Sequence, residues 1–74
     1  MIAELDTVAL TVDLPEYGLR QGDLGTVVLD HHGEGYEVEF VALDGETLAV
    51  VSVAAEQVRG ISSGEIAHAR AVRA

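Results

Sequence analysis

The sequence predicts an all-β domain, a small, partly open antiparallel barrel of about five short strands, followed by a C-terminal tail. Three observations carry the prediction. Two β-prone runs, 36–43 and 46–53, are separated by Asp44-Gly45 alone. A stretch punctuated by Gly18, Gly22 and Gly25 leads from Asp13 into the β-branched run Thr26-Val-Val-Leu29. Near the N-terminus, Val8, Leu10 and Val12 alternate with Thr7, Ala9 and Thr11, the period-2 pattern of a strand with one buried face.

At 74 residues the chain makes one domain with a small core. It contains no cysteine, so neither a disulfide nor a thiolate metal site supports the fold. An apolar content of 49% is enough for a packed core and sets the chain apart from disordered sequences. Thirteen acidic residues against four arginines give a formal net charge of −9. The imbalance lies before the tail: residues 1–59 carry −10, whereas residues 60–74, with Glu65, Arg70 and Arg73, carry +1. Such a surface repels phosphate backbones and anionic membranes and attracts basic partners. No apolar run approaches the roughly 20 residues of a membrane span. The opening Met-Ile-Ala-Glu-Leu-Asp lacks the basic region of a signal peptide, and a cytoplasmic location is the default expectation.

Taken in order, residues 5–12 read as the first strand. In the long loop 13–23, Asp13 can accept bonds from backbone N–H groups that follow, and Pro15 fixes a turn. The three glycines supply freedom for a tight return before Thr26. Residues 25–30 are the second strand, and His31-His-Gly-Glu-Gly35 is a turn. The Asp44-Gly45 pair predicts a two-residue type I′ hairpin between the third and fourth strands, because both central residues tolerate φ > 0. Ala54-Ala-Glu-Gln57 suits one 3₁₀ turn, and Val58-Arg59 a short closing strand.

The hairpin register sorts its side chains into two faces. Tyr36, Val38 and Phe40 oppose Val53, Val51 and Ala49 on an apolar core face. Val8, Leu10, Val27 and Leu29 complete the expected core. The opposite face mixes Glu37, Glu39, Glu46 and Ser52 with Val41, Leu43, Leu48 and Val50. Either a bent sheet covers both faces at one end, or Val41, Leu43, Leu48 and Val50 form an exposed apolar strip rimmed by carboxylates. That strip is the foremost candidate partner-binding site, with Leu14, Glu16 and Tyr17 of the long loop as a second contact. Its expected cover is the tail, through Ile61 and Ile66, with Arg70 and Arg73 approaching Glu37, Glu39 or Glu46, or a second copy of the chain in a homo-oligomer. In the tail, Ser62-Ser-Gly-Glu65 resembles a capping box before an alanine-rich stretch, so a marginal short helix or a disordered segment is expected.

Little of this composition supports catalysis. The Gly22-Asp-x-Gly-Thr-Val27 segment partly matches the kernel of KOW-like nucleic-acid modules, but two arginines and three aromatics on an acidic domain do not hold phosphates. A phosphate-cradling glycine loop would need a lysine and a following helix. His31 and His32 beside Asp30 and Glu34 are read as a solvated turn rather than a metal site. Ser52, Ser62 and Ser63 have no His and Asp partners placed by spacing, and so small a domain offers no deep cleft for paired carboxylates. No catalytic, cofactor-binding or metal-binding residues are assigned.

A long first loop feeding a Gly-Asp-x-Gly-x-Val strand is similar to the opening of SH3-like barrels. More specifically, the chain resembles a family of short bacterial domains of unknown function marked by a D-L-P motif. The matching elements are Glu4-Leu-Asp-Thr-Val8, Asp13-Leu-Pro15, Gly18-Leu19, Gly22-Asp-x-Gly-Thr-Val-Val28, Tyr36-Glu-Val-Glu-Phe40, Asp44-Gly45 and Gln57-Val-Arg59. Together they span residues 4–59. The resemblance implies an SH3-like barrel and a small accessory or antitoxin-like partner protein, and it supplies no catalytic residues. The expected function is a non-catalytic interaction module that masks a basic protein; the alternative is an accessory subunit docked on a larger enzyme, as other SH3-like barrels are.

Overall fold

The computed structural model describes residues 2–72. The domain is all-β, with five antiparallel strands: β1 (Thr7–Leu10), β2 (Leu24–Asp30), β3 (Gly35–Val41), β4 (Thr47–Ala54) and β5 (Val58–Gly60). They form one sheet in the order β4-β3-β2-β1-β5, which is open rather than closed. The edge strands β4 and β5 are consecutive in the chain and joined only by the 3₁₀ turn Ala55–Gln57, so the sheet must curl to bring its ends together. The Gln57 side chain holds this turn by accepting from Ala54 N–H at 2.8 Å, and Thr11 N–H donates to Gln57 O at 2.8 Å.

The concave face carries the core. Val8, Leu10, Val27, Val38 and Phe40 are at most 2% exposed, and Tyr36, Val51, Val53 and Val58 pack around them. Ala49 is partly buried against this cluster. Leu29 and Val12, expected on the buried face, are exposed. A β-bulge explains Leu29: Val27 opposes Val38 but Leu29 opposes Glu37, so the extra residue Val28 turns Leu29 to the outer face. Val12 leaves the core because β1 ends at Leu10 and the Thr11 side chain ties the chain sideways to Glu56 O at 2.7 Å. The first strand also starts late, at Thr7, since Leu5 adopts φ 73° and its N–H bonds to Val27 O at 2.7 Å.

The β3–β4 register matches the expected one from Gly35↔Ala54 to Phe40↔Ala49, but the turn differs. Among residues 43–45, the only positive φ is at Gly45 (94°), and Ala42 bonds both to Gly45 N–H (2.9 Å) and, through its own N–H, to Glu46 O (2.8 Å). This is a three-residue loop with Gly45 in the left-handed position, one residue longer than a type I′ turn. The added residue is compensated in β4, where Val41 opposes Thr47 and Phe40 opposes Ala49, so that Leu48 bulges.

The loop before β2 is built inward. Asp13 Oδ1 accepts from Gln21 N–H at 2.8 Å, and Leu14 and Leu19 exchange backbone bonds of 2.9 and 3.1 Å. Pro15 opens a 3₁₀ turn, Pro15–Tyr17, closed by Gly18 at φ 70°. Leu14 and Leu19 are thereby drawn into the core, at 8% and 2% exposure. The D-L-P motif is thus an acceptor, a core anchor and a turn initiator in succession. Leu14 is corrected from a contact residue to a packing residue, while Glu16 and Tyr17 stay at the exposed tip.

The tail takes no helix, one of the two forms expected for it. Ser62 and Glu65 do make capping-type bonds: Ser62 N–H and Oγ both donate to Glu65 Oε2, at 2.9 and 3.3 Å. No helix follows, and residues 66–71 carry no regular structure. Instead the Arg59 guanidinium takes both Glu65 oxygens, at 2.9 and 2.7 Å, using the carboxylate to fasten the tail to β5.

Candidate protein-interaction surface

The period of two along β3 and the observed register fix what the convex face presents. Thr26, Glu39 and Val50 lie side by side across β2, β3 and β4, as do Leu29, Glu37 and Ser52 in the next row. Val41 and Thr47 form the row towards the hairpin tip. Leu29 (45%), Val41 (42%) and Val50 (55%) are exposed here, flanking the two carboxylates. The expected arrangement, an apolar strip rimmed by acids, is inverted: the acids stand on the central strand with apolar side chains around them.

Hydrogen bonds hold both carboxylates in place. Thr47 Oγ1 donates to Glu39 Oε2 at 2.8 Å. Ser52 Oγ and His31 Nε2 both donate to Glu37 Oε2, the latter at 2.8 Å. The bond from Ser52, reinforced by that from His31, keeps the Glu37 carboxyl below the usual carboxylate range. Oε1 of either residue receives no hydrogen bond among the described residues, so each carboxylate retains an acceptor for a cationic partner.

The four strip residues do not stay together. Val50 stays on the convex face, whereas Val41, at the edge of that face, lines a groove together with Leu48 and with Leu43 of the hairpin tip, which is 97% exposed. This groove, of about 380 Å³, is lined also by Leu19, Leu24 and Phe40 and is bounded on its far side by tail residues 67–70 and 72. The tail thus faces Val41, Leu43 and Leu48 through residues 67–70 and 72 and not through the expected Ile66 and Ile61, which are 95% and 39% exposed. Arg70 reaches Asp23 instead of Glu37, Glu39 or Glu46, through Nε to Oδ1 at 2.9 Å and Nη2 to Oδ2 at 2.5 Å, and Nη2 also donates to Gly18 O at 3.0 Å. Partial burial pushes the Asp23 carboxyl up, but bonds from Arg70 and from Arg20 N–H, with the charges of both arginines, outweigh it and hold the group below its ordinary value. Arg73 lies outside the described residues.

Two elements of this surface were readable and two were missed. The register by itself places Ser52 beside Glu37 and Val50 beside Glu39. Leu29 was missed because its bulge leaves no mark on the alternation, and Asp23 because its partner is 47 residues away in the chain. Among the described residues, no three His, Cys, Asp or Glu side chains gather into a metal-binding group, and no helix is long and apolar enough to cross a membrane.

The fold and these surfaces define a small all-β open-sheet domain with an acidic convex face. A family model matches residues 4–60, and the chain belongs to that family, a domain of unknown function designated DUF4926. No curated protein and no solved structure matches the chain.

Proposed function

We propose that the chain is a non-catalytic protein-interaction module that binds a basic protein on the convex face of β2, β3 and β4. The observation that carries this reading is the pair Glu37 and Glu39, fixed on the central strand by Ser52, His31 and Thr47 and surrounded by exposed Leu29, Val41 and Val50. Pre-set carboxylates lower the ordering cost of recognising lysine or arginine, and the apolar neighbours add contact area. A long-range charge of −10 over residues 1–59 supports steering of a cationic partner. In this reading the domain is an SH3-like cytoplasmic protein that masks a basic surface, as an antitoxin masks a nucleic-acid-cleaving toxin.

The exposed Leu29, Val41 and Val50 also favour a second reading, an accessory subunit docked permanently on a larger enzyme through apolar contact. Salt separates the two, because charge steering weakens with ionic strength and apolar docking persists. The test is capture from native cell extract with the full chain and with the Glu37→Gln/Glu39→Gln variant. The expected result is a basic protein retained by the native chain, lost from the variant and released by about 0.5 M salt. Retention that resists both salt and the double substitution supports the accessory subunit, and capture of no basic protein overturns the masking role.

A further inference from the structure

The groove beneath the tail shares only Val41 with the convex face, and the inference drawn from it does not depend on that face. Its domain side includes Leu19, Leu24, Phe40, Val41, Leu43 and Leu48, all within the family-matched residues 4–60; its other side is the tail, which lies beyond them. Leu19 and Phe40 are each 2% exposed, so the groove abuts the core itself. The tail crosses it without regular secondary structure. Among the described residues, tail residues 61–72 make no backbone hydrogen bond to the strands; the segment is held by two Arg–carboxylate forks, Arg59–Glu65 and Arg70–Asp23. Around Arg70 the tail lays Ala67, His68, Ala69 and Val72 along the groove, and with the two alanines among them about 380 Å³ stays open.

We infer that this groove is a binding site for an extended segment of a partner protein that carries an arginine beside a large apolar residue, and that the tail occupies the site as a weak internal substitute. The partner's guanidinium takes the position of Arg70, paired with both Asp23 oxygens and the Gly18 carbonyl. Asp23 and the Gly18 carbonyl match the fork of an arginine better than the point charge of a lysine. The large neighbour fills the space over Leu19, Phe40 and Leu48 that the tail's alanines leave open. A tethered tail competes at an effective concentration in the millimolar range, so the isolated groove is accessible only to a better ligand or to a chain whose tail is released.

The test uses the full chain and the full-length Arg70→Ala variant, whose folding is checked by circular dichroism. The probes are synthetic peptides spanning residues 61–72, unchanged, with Ala69→Leu, and with Arg70→Ala. The Arg70→Ala protein is expected to bind the unchanged peptide at least tenfold more tightly than the native chain does, and the Ala69→Leu peptide about tenfold more tightly again. Adding Asp23→Asn to the Arg70→Ala protein abolishes binding, as does the Arg70→Ala peptide. Equal binding to native and Arg70→Ala proteins, no binding to either, or no preference for the arginine-bearing peptides overturns the inference. A native chain that is dimeric in solution and becomes monomeric on Arg70→Ala substitution overturns it as well, since the occupant is then the tail of a second copy.

Discussion

Replacing Gly25 with alanine tests the packing that positions both surfaces. The backbone at Gly25 is not in the left-handed region, so the glycine is needed for space and not for a turn. A Cβ built there meets Val38 Cγ1 at 2.5 Å and the Phe40 ring at 2.8 and 3.0 Å. Both neighbours are at most 2% exposed, and relief requires a shift of about 1 Å in the most tightly packed part of the core. Overpacking of this kind costs about 1–3 kcal/mol, and reduced freedom of the unfolded chain returns about 0.4–1 kcal/mol. The net destabilisation is about 1–2 kcal/mol, which lowers Tm by roughly 5–15 °C in a domain of this size. Gly60→Ala is the control, with no atom within 4 Å of the added carbon and no positive φ; its Tm should not fall. The assay is far-ultraviolet circular dichroism on heating, with urea denaturation for the free energy. A Gly25→Ala protein as stable as the native chain refutes the close-approach argument.

Further predictions concern the loop and the tail. Leu14→Ala is expected to destabilise by about 2–5 kcal/mol, as for other buried leucines, whereas Tyr17→Ala, at an exposed tip, stays within about 0.5 kcal/mol; chemical denaturation of both variants measures the contrast. The Glu65 carboxyl, held down to about 2 first by Arg59 and then by Ser62 N–H, has its folded value below the unfolded one of 4.5. Its contribution to tail anchoring is therefore complete above about 4.5 and lost as pH falls towards about 2. A carboxyl carbon resonance of Glu65 that titrates near the ordinary glutamate value contradicts this.

The parts of the fold governed by period-two alternation and by glycine or proline chemistry were legible in the chain. The register of Gly35–Phe40 against Ala49–Ala54 followed from the Asp44-Gly45 position, although the turn is one residue longer, because the Leu48 bulge restores the pairing. That compensation preserves the core face yet turns Leu48 into the groove with Val41 and Leu43 and away from Val50, which is why the predicted strip divides. The bulges at Val28 and Leu48 show only in the pairing with the neighbouring strand, which no local pattern records. Leu14 shows the same limit: a loop leucine reads as exposed until the Leu14–Leu19 pair folds it under the sheet. In the tail, the capping-box residues were recognised but their use was not, since the Glu65 carboxylate also serves Arg59 and the stretch beyond it is too short and thinly apolar to sustain a helix.

The claim that the convex face is the contact surface is tested most directly by nuclear magnetic resonance. Isotope-labelled full-length chain is titrated with the basic protein it retains. The amides of Thr26, Leu29, Glu37, Glu39, Val50 and Ser52 are expected to shift or broaden, and to recover when salt is raised to about 0.5 M. Changes confined to the loop tip at Glu16 and Tyr17, or to the groove under the tail, with the convex-face amides unmoved, would contradict the account.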